Sequence, residues 1–178
     1  QSLYRIGRQT GKDLNKKVNL DLRGSEVELD RSVLEKMTAP FEHLLRNSIV
    51  HGLEEAAQRE AAGKPPMGNI TLSVRQEGNE VVFEFTDDGA GLNLPKLRQK
   101  GLEKGMIPAG EQVTDDQLRQ LIFATGLSTA SELTEVAGRG VGMDVVRSEI
   151  TGLGGRIDVF SESGKGTRFV IYLPLTLA

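Results

Sequence analysis

The stretch His43-Leu44-Leu45-Arg46-Asn47-Ser48-Ile49-Val50-His51-Gly52 holds both histidines of a 178-residue chain, with an asparagine between them in an otherwise helix-forming run. At about 100° per residue, positions i, i+4 and i+8 drift slowly around a helix, so His43, Asn47 and His51 are expected to form one polar stripe. Leu44, Leu45, Ser48 and Ile49 have the spacing of a core-facing stripe, which turns the polar line toward a cleft. Imidazole moves protons near neutral pH, and an amide oxygen is a neutral, hard ligand suited to Mg²⁺. Asn is a mediocre residue in mid-helix because its amide competes for backbone hydrogen bonds. Two readings therefore stand for Asn47: metal ligand, or solvated surface residue. Histidines eight residues apart lie about 12 Å apart along a helix and cannot chelate one ion. With no cysteine in the chain, a typical zinc site is not expected.

Three glycine clusters follow. Asp87-x-Gly89-x-Gly91 puts a carboxylate at the end of an expected strand, just before backbone that a flat ligand can approach. A carboxylate accepts from an exocyclic amine such as that of adenine, and the same pattern is also a plain Asp-Gly turn. Gly138-x-Gly140-x-Gly142 opens an expected helix and offers the free amides and positive dipole end that phosphates favour. Its spacing matches neither the dinucleotide fingerprint nor the Walker-type loop. Gly164-Lys165-Gly166-Thr167 reads equally well as a hairpin turn.

The elements that must position these residues follow from periodicity. Lys17 to Arg23 alternates as a strand, Gly24-Ser25 is a turn, and Glu26 to Leu29 is a shorter strand. Asp30 caps a helix carrying Val33, Leu34 and Met37, and Pro40 either kinks it or starts the helix with the polar stripe. Glu54 to Gly68 reads as a short solvated helix and a loop, and Ile70 to Val74 with Val81 to Phe85 as a hairpin. Helical fragments are expected at Lys96 to Lys104 and Asp116 to Phe123, within a less regular, lid-like region from Leu92 to Val136. A helix carrying Val145, Val146 and Ile150 and two strands, Arg156 to Ser161 and Arg168 to Leu173, close the chain. Strands separated by helices, with hairpins in the middle and at the end, predict an α/β two-layer sandwich: a mixed, mostly antiparallel sheet with helices on one face.

Composition narrows the function classes. A net charge of −3 leaves no basic footprint for nucleic acid. No apolar run approaches the length of a membrane span, so no direct membrane contact is expected, and no secretory pattern opens the chain. The absence of cysteine fits a cytoplasmic setting.

The order of the four elements is more specific than any one of them: amide-bearing helix, Asp-x-Gly-x-Gly after a strand, glycine-rich helix start, then Gly-x-Gly-Thr between terminal strands. It resembles the N, G1, G2 and G3 boxes of the Bergerat-type ATP-binding fold shared by histidine kinases, gyrase-type ATPases, MutL-type proteins and Hsp90. HLLRNSIVHGLE, DDGAGL, STASELTEVAGRGVGMDVV, GKGTRF and the terminal LPLTLA resemble chemotaxis histidine kinases of the CheA type most closely. The resemblance covers 12–178, with 1–11 as the end of a preceding helix.

The resemblance implies that Asn47 coordinates Mg²⁺, that Asp87 binds the adenine amine with Thr167 near the base, and that Phe123 to Ser131 belongs to an ATP lid. It implies a nucleotide-binding set of Asn47, Asp87, Gly89, Gly91, Gly138, Gly140, Val141, Gly142, Met143, Gly166 and Thr167, and catalytic roles for His43, Asn47 and His51. His43 would accept or relay the proton of the attacking histidine, while His51 would position phosphate or metal. Val50 and Leu127 depart from the family pattern, which commonly has Asp and Phe there. The implied partners are a histidine phosphotransfer domain in cis or in trans, a downstream response regulator, and a receptor or coupling protein reached through other domains of a homodimer.

His43-Leu44-Leu45-Arg46-Asn47-Ser48 also has the outline of a phosphoacceptor box, but Leu44 and Ser48 replace its acidic residue and its proline. The rival functions are a gyrase- or MutL-type ATPase, which would need a transducer beyond the last strand, and a nucleotide-sensing module without phosphotransfer.

Overall fold

The structure, a computed structural model, describes residues 8–9, 11–24, 29–124 and 142–175. Five strands form one sheet: β1 (Val18–Arg23), β2 (Gly68–Glu77), β3 (Glu80–Asp87), β4 (Arg156–Glu162) and β5 (Gly166–Pro174). Their order is β1-β2-β3-β5-β4, with β1 and β2 parallel and every other pair antiparallel. The α-helices are α1 (Arg31–Asn47), α2 (Ala56–Ala61), α3 (Leu94–Glu103), α4 (Asp115–Gln120) and α5 (Met143–Gly152). A π-helical turn (Ser48–Gly52) extends α1, and a 3-10 turn (Leu121–Phe123) extends α4. This is the mixed, mostly antiparallel two-layer architecture expected from the sequence.

Strand alternation puts Ile70, Leu72, Val81, Phe83, Phe85, Ile157, Val159, Phe169 and Ile171 on one face. Against them α1 lays Val33, Met37, Phe41, Leu44 and Leu45, and α5 lays Val146 and Ile150, all in one core. The Phe41 and Phe83 rings meet edge to face with centroids 5.1 Å apart, an arrangement the ring quadrupoles favour. Asp30 caps α1 by accepting from the Ser32 N–H at 3.2 Å. Pro40 does not start a new helix: it stands inside one continuous helix that runs on through the polar stripe's first residues. The missing N–H costs one helical bond, and the apolar contacts of Met37, Phe41 and Leu44 on either side outweigh it. Leu34, expected on the apolar stripe, is exposed. The strand expected over Glu26 to Leu29 lies mostly outside the described residues, and Leu29 is in no strand.

The opposite face of the sheet is charged. Arg75 and Arg168 both reach Glu84, and the Arg168 guanidinium lies 4.7 Å from the centre of the Phe160 ring. Arg156 covers Tyr172 at 3.9 Å and pairs with Glu80. Beneath this layer Val82 and Val170 are buried although neither belongs to the main core.

Phe83, 1% exposed, sits where α1 meets the centre of the sheet. Phe83→Ala is expected to lower the unfolding free energy by about 3–5 kcal/mol, read from urea denaturation.

Candidate functional site

Asp87 is the last residue of β3, paired with Ile70 of β2 on one side and Thr167 of β5 on the other. It is 4% exposed, an unusual state for a carboxylate. Burial pushes its pKa above the ordinary 3.8, partly offset by the Gly89 N–H, which donates to Oδ1 at 2.9 Å, and by the Thr167 N–H. The buried Ser48 hydroxyl also faces this carboxylate and favours its charge, without reaching full hydrogen-bond geometry to any described residue. A Cβ on Gly52 would stand 3.0 Å from Oδ2, and one on Gly89 only 2.0 Å from the Gly52 carbonyl oxygen. Side chains at either position would collide with the carboxylate or with the facing backbone.

The predicted boxes converge here. The Ala90 N–H donates to the Gly52 carbonyl at 2.9 Å, tying the Asp-x-Gly-x-Gly loop to the end of the α1 run. The Gly164 N–H donates to the Ala90 carbonyl at 2.8 Å, and the Leu92 N–H to Ser161 Oγ at 2.7 Å. Ser161 Oγ in turn donates to the Gly166 carbonyl at 3.1 Å and lies 3.3 Å from Thr167 Oγ1. Gly91 backs onto the Glu162 carbonyl at the same hairpin. Gly142 precedes α5 in extended conformation, and Met143, its first residue, is buried. Gly138, Gly140 and Val141 lie outside the described residues, as does the expected lid from residue 125 onward. Phe123, assigned to the lid's start, is a core residue packed edge to face on Phe169.

His43 and Asn47 are half-buried, four residues apart on α1. His51 is exposed and stands in the π-helical turn, where the Leu53 N–H bonds to the Ser48 carbonyl at 2.7 Å. The i to i+5 turn changes the local period after Asn47, at the residues that lead to His51. Lys16 Nζ donates to the carbonyls of Ile49 (2.7 Å) and Val50 (3.1 Å), satisfying oxygens at the end of this run. Among the described residues no group of three or more His, Asp or Glu could hold a metal. A divalent ion at Asn47 would therefore need most of its oxygen shell from its ligand, as Mg²⁺ on phosphates commonly has.

One buried network was not legible in the sequence. Arg59, in the segment read as solvated, is 1% exposed. Its guanidinium donates to the Pro65 carbonyl (2.8 Å), Glu54 (3.1 Å), the Asp88 carbonyl (3.1 Å) and the Asp88 carboxylate (3.1 Å). Lys64 Nζ joins Glu54 at 2.8 Å and the carbonyls of Asp88 and Gly89 at 3.0 and 2.9 Å. Burial alone would raise the pKa of Asp88, but hydrogen bonds from the Asn69 N–H and amide together with Arg59 outweigh it and hold the group below 3.8. Neighbouring aspartates are thus driven in opposite directions, Asp88 by its cation and donors, Asp87 by burial with the charge of Asp88 adding to it. Glu54, Arg59 and Lys64 follow no helical or strand period, so no pattern announced them.

A five-stranded sheet with this order, a buried aspartate closing its central strand and a polar helix end beside it, fits a nucleotide-binding ATPase fold. A family model described as histidine kinase-, DNA gyrase B-, and HSP90-like ATPase matches residues 37–177, and the chain belongs to that family. Within it, the chain is 47% identical over 176 residues to chemotaxis protein CheA of Bacillus subtilis, covering 98% of this chain and 26% of that protein. It is 46% identical over 174 residues to chemotaxis protein CheA of Treponema pallidum, covering 98% and 21%. The chain thus spans about a quarter of the length of the curated relatives it matches. Among solved structures, the catalytic domain of histidine kinase ThkA superposes with a TM-score of 0.55 at 18% identity, covering 98% of this chain and 88% of that one. The histidine kinase domain of the Erythrobacter litoralis EL346 blue-light activated kinase gives 0.54 at 17% identity, covering 97% and 63%. At these identities the two structures share the fold.

The raised pKa of Asp87 has a stability signature. Above its folded pKa the group is charged in both folded and unfolded chains, and folding bears the full cost of burying that charge. As pH falls from that value toward 3.8 the folded state takes up the proton first, and the cost disappears. Wild type is therefore expected to gain stability relative to Asp87→Asn as pH falls through this window, measured as the difference in urea midpoints. A pH-independent difference would show that the carboxyl titrates alike in both states.

Proposed function

We propose that residues 12–178 are the ATP-binding catalytic domain of a two-component histidine autokinase of the chemotaxis type, with 1–11 ending a preceding helix. The observation that carries this reading is the buried Asp87 carboxylate, framed by Gly52 and Gly89 and tied to the helical run that bears Asn47. A carboxylate kept dry, with its other partners limited to backbone amides and one hydroxyl, is suited to accept the amine of adenine and to reject a carbonyl in its place. The backbone of Gly52 and Gly89 closes on the carboxylate so tightly that a side chain at either position would strike backbone or the carboxylate itself.

From there the polyphosphate runs toward Gly142 and the start of α5, where free amides favour anions. The Asn47 amide oxygen would hold Mg²⁺, which when bound supplies charge neutralisation for phosphoryl transfer. His43, one turn before Asn47, takes the proton of the attacking histidine, and His51 orients phosphate or metal. Because neither histidine of this chain is then the acceptor, the γ-phosphate passes to a histidine on a separate phosphotransfer domain, in cis or in trans. A response regulator would receive it next, in a cytoplasmic homodimer joined to receptors through other domains. Among the described residues no helix is long and apolar enough to cross a membrane.

The test is a transfer assay with radiolabelled ATP and a separate histidine phosphotransfer domain. Asn47→Ala is expected to lower transfer by about 100-fold or more while metal-free nucleotide affinity stays within about tenfold. Undiminished transfer in that variant refutes the assignment. Release of phosphate to water without transfer moves the reading to a gyrase- or MutL-type ATPase.

A further inference from the structure

The segment between Leu53 and Gly68 contributes nothing to the nucleotide contacts assigned above, yet two of its cations end on the loop that follows Asp87. Lys64 Nζ donates to the Asp88 carbonyl at 3.0 Å and to the Gly89 carbonyl at 2.9 Å. Arg59 donates to the same Asp88 oxygen at 3.1 Å, and Glu54 holds both cations. In a trans peptide the C=O and the following N–H point in opposite directions, and the described chain has no cis peptide. The plane that carries the Asp88 carbonyl also carries the Gly89 N–H, which reaches Asp87 Oδ1 at 2.9 Å. The plane that carries the Gly89 carbonyl also carries the Ala90 N–H, which reaches the Gly52 carbonyl at 2.9 Å.

We propose that Lys64 is a positioning residue for adenine recognition. By holding two successive carbonyls it aims one amide at the Asp87 carboxylate and the next at the helical run that carries Asn47. The inference rests on the nucleotide reading above and assigns a role in base selectivity to a residue that touches no part of the nucleotide. Arg59 shares one of the two carbonyls, and its remaining bonds go to Glu54, Pro65 and the Asp88 side chain, so Lys64 alone spans both peptide planes.

The test compares ATP with inosine triphosphate, which has a carbonyl where adenine has its amine, by calorimetry on the 178-residue chain. Lys64→Met is expected to weaken ATP binding by about tenfold and to leave inosine triphosphate binding within about twofold, so that the preference between them narrows. Lys64→Arg, which keeps the charge and supplies a donor fork, restores most of the preference, and Lys64→Gln, a shorter neutral side chain with two donors for the three acceptors Lys64 meets, falls between. A parallel loss for both nucleotides means that Lys64 acts through general stability or through the phosphates, and overturns the proposal. An unchanged ATP preference in Lys64→Met and Lys64→Gln overturns it as well. If wild type binds neither nucleotide, the nucleotide reading itself falls; if wild type prefers ATP while the variants match it, only the role of Lys64 does.

Discussion

Water would stabilise the charge of Asp87 far better than the interior of the protein does, and the arrangement around it answers that deficit. The carboxylate closes the central strand with a neighbouring strand on each side, so bulk solvent has little access. What replaces water is a small set of donors: the Gly89 and Thr167 amides and the nearby Ser48 hydroxyl. Among the described residues no cation neutralises the group, and burial wins, leaving a carboxylate that is costly to ionise in the free protein. Sites that bind a polar ligand are commonly kept in this unsatisfied condition, since a partner already in place would have to be displaced.

Supporting such a group requires rigidity at the backbone, and the fold supplies it from three directions. The Asp88–Gly89 peptides are held by Arg59 and Lys64, the Ala90 amide by Gly52, and the Ala90 carbonyl by Gly164. Gly52 in turn belongs to a π-helical turn whose carbonyls are met by Lys16 from the segment before β1. The half of the site formed by α1 and the half formed by the strand ends are therefore one hydrogen-bonded unit, and a disturbance of either changes the geometry of the other. The family match takes in most of this unit, and the chemotaxis protein CheA sequences the chain resembles are about four times its length.

Much of this was readable from periodicity. The alternation of Ile70 to Val74 and Val81 to Phe85, the cap Asp30 and the turn at Gly24 place the strands and helices to within about three residues. The four-box order located Asp87, Asn47 and the terminal hairpin, because strand ends and glycines are local signals. What escaped the sequence is tertiary. A π turn at Ser48 leaves no mark in a hydrophobic pattern, so the change of period between Asn47 and His51 was not foreseen. Arg59 and Lys64 look like solvated charges in an Ala- and Glu-rich stretch, and only the fold reveals that their partners lie on a loop about 25 residues downstream. Pro40 illustrates the same limit from the other side: local propensity argues for a break, while the core contacts around it keep the helix whole.

The charged face of the sheet carries a consequence of its own. With helices on one side only, a five-stranded sheet would offer Val82 and Val170 to any neighbouring surface, and two such molecules could stack sheet on sheet. The Arg75, Glu84 and Arg168 row and the Arg156 cover on Tyr172 set charged groups on the same face as those valines. Ion pairs of this kind add little to folding at the surface. Their worth is colloidal: a molecule meeting this face must strip water from a lattice of fixed charges before it finds anything apolar, which disfavours sheet-on-sheet contact between copies of the domain.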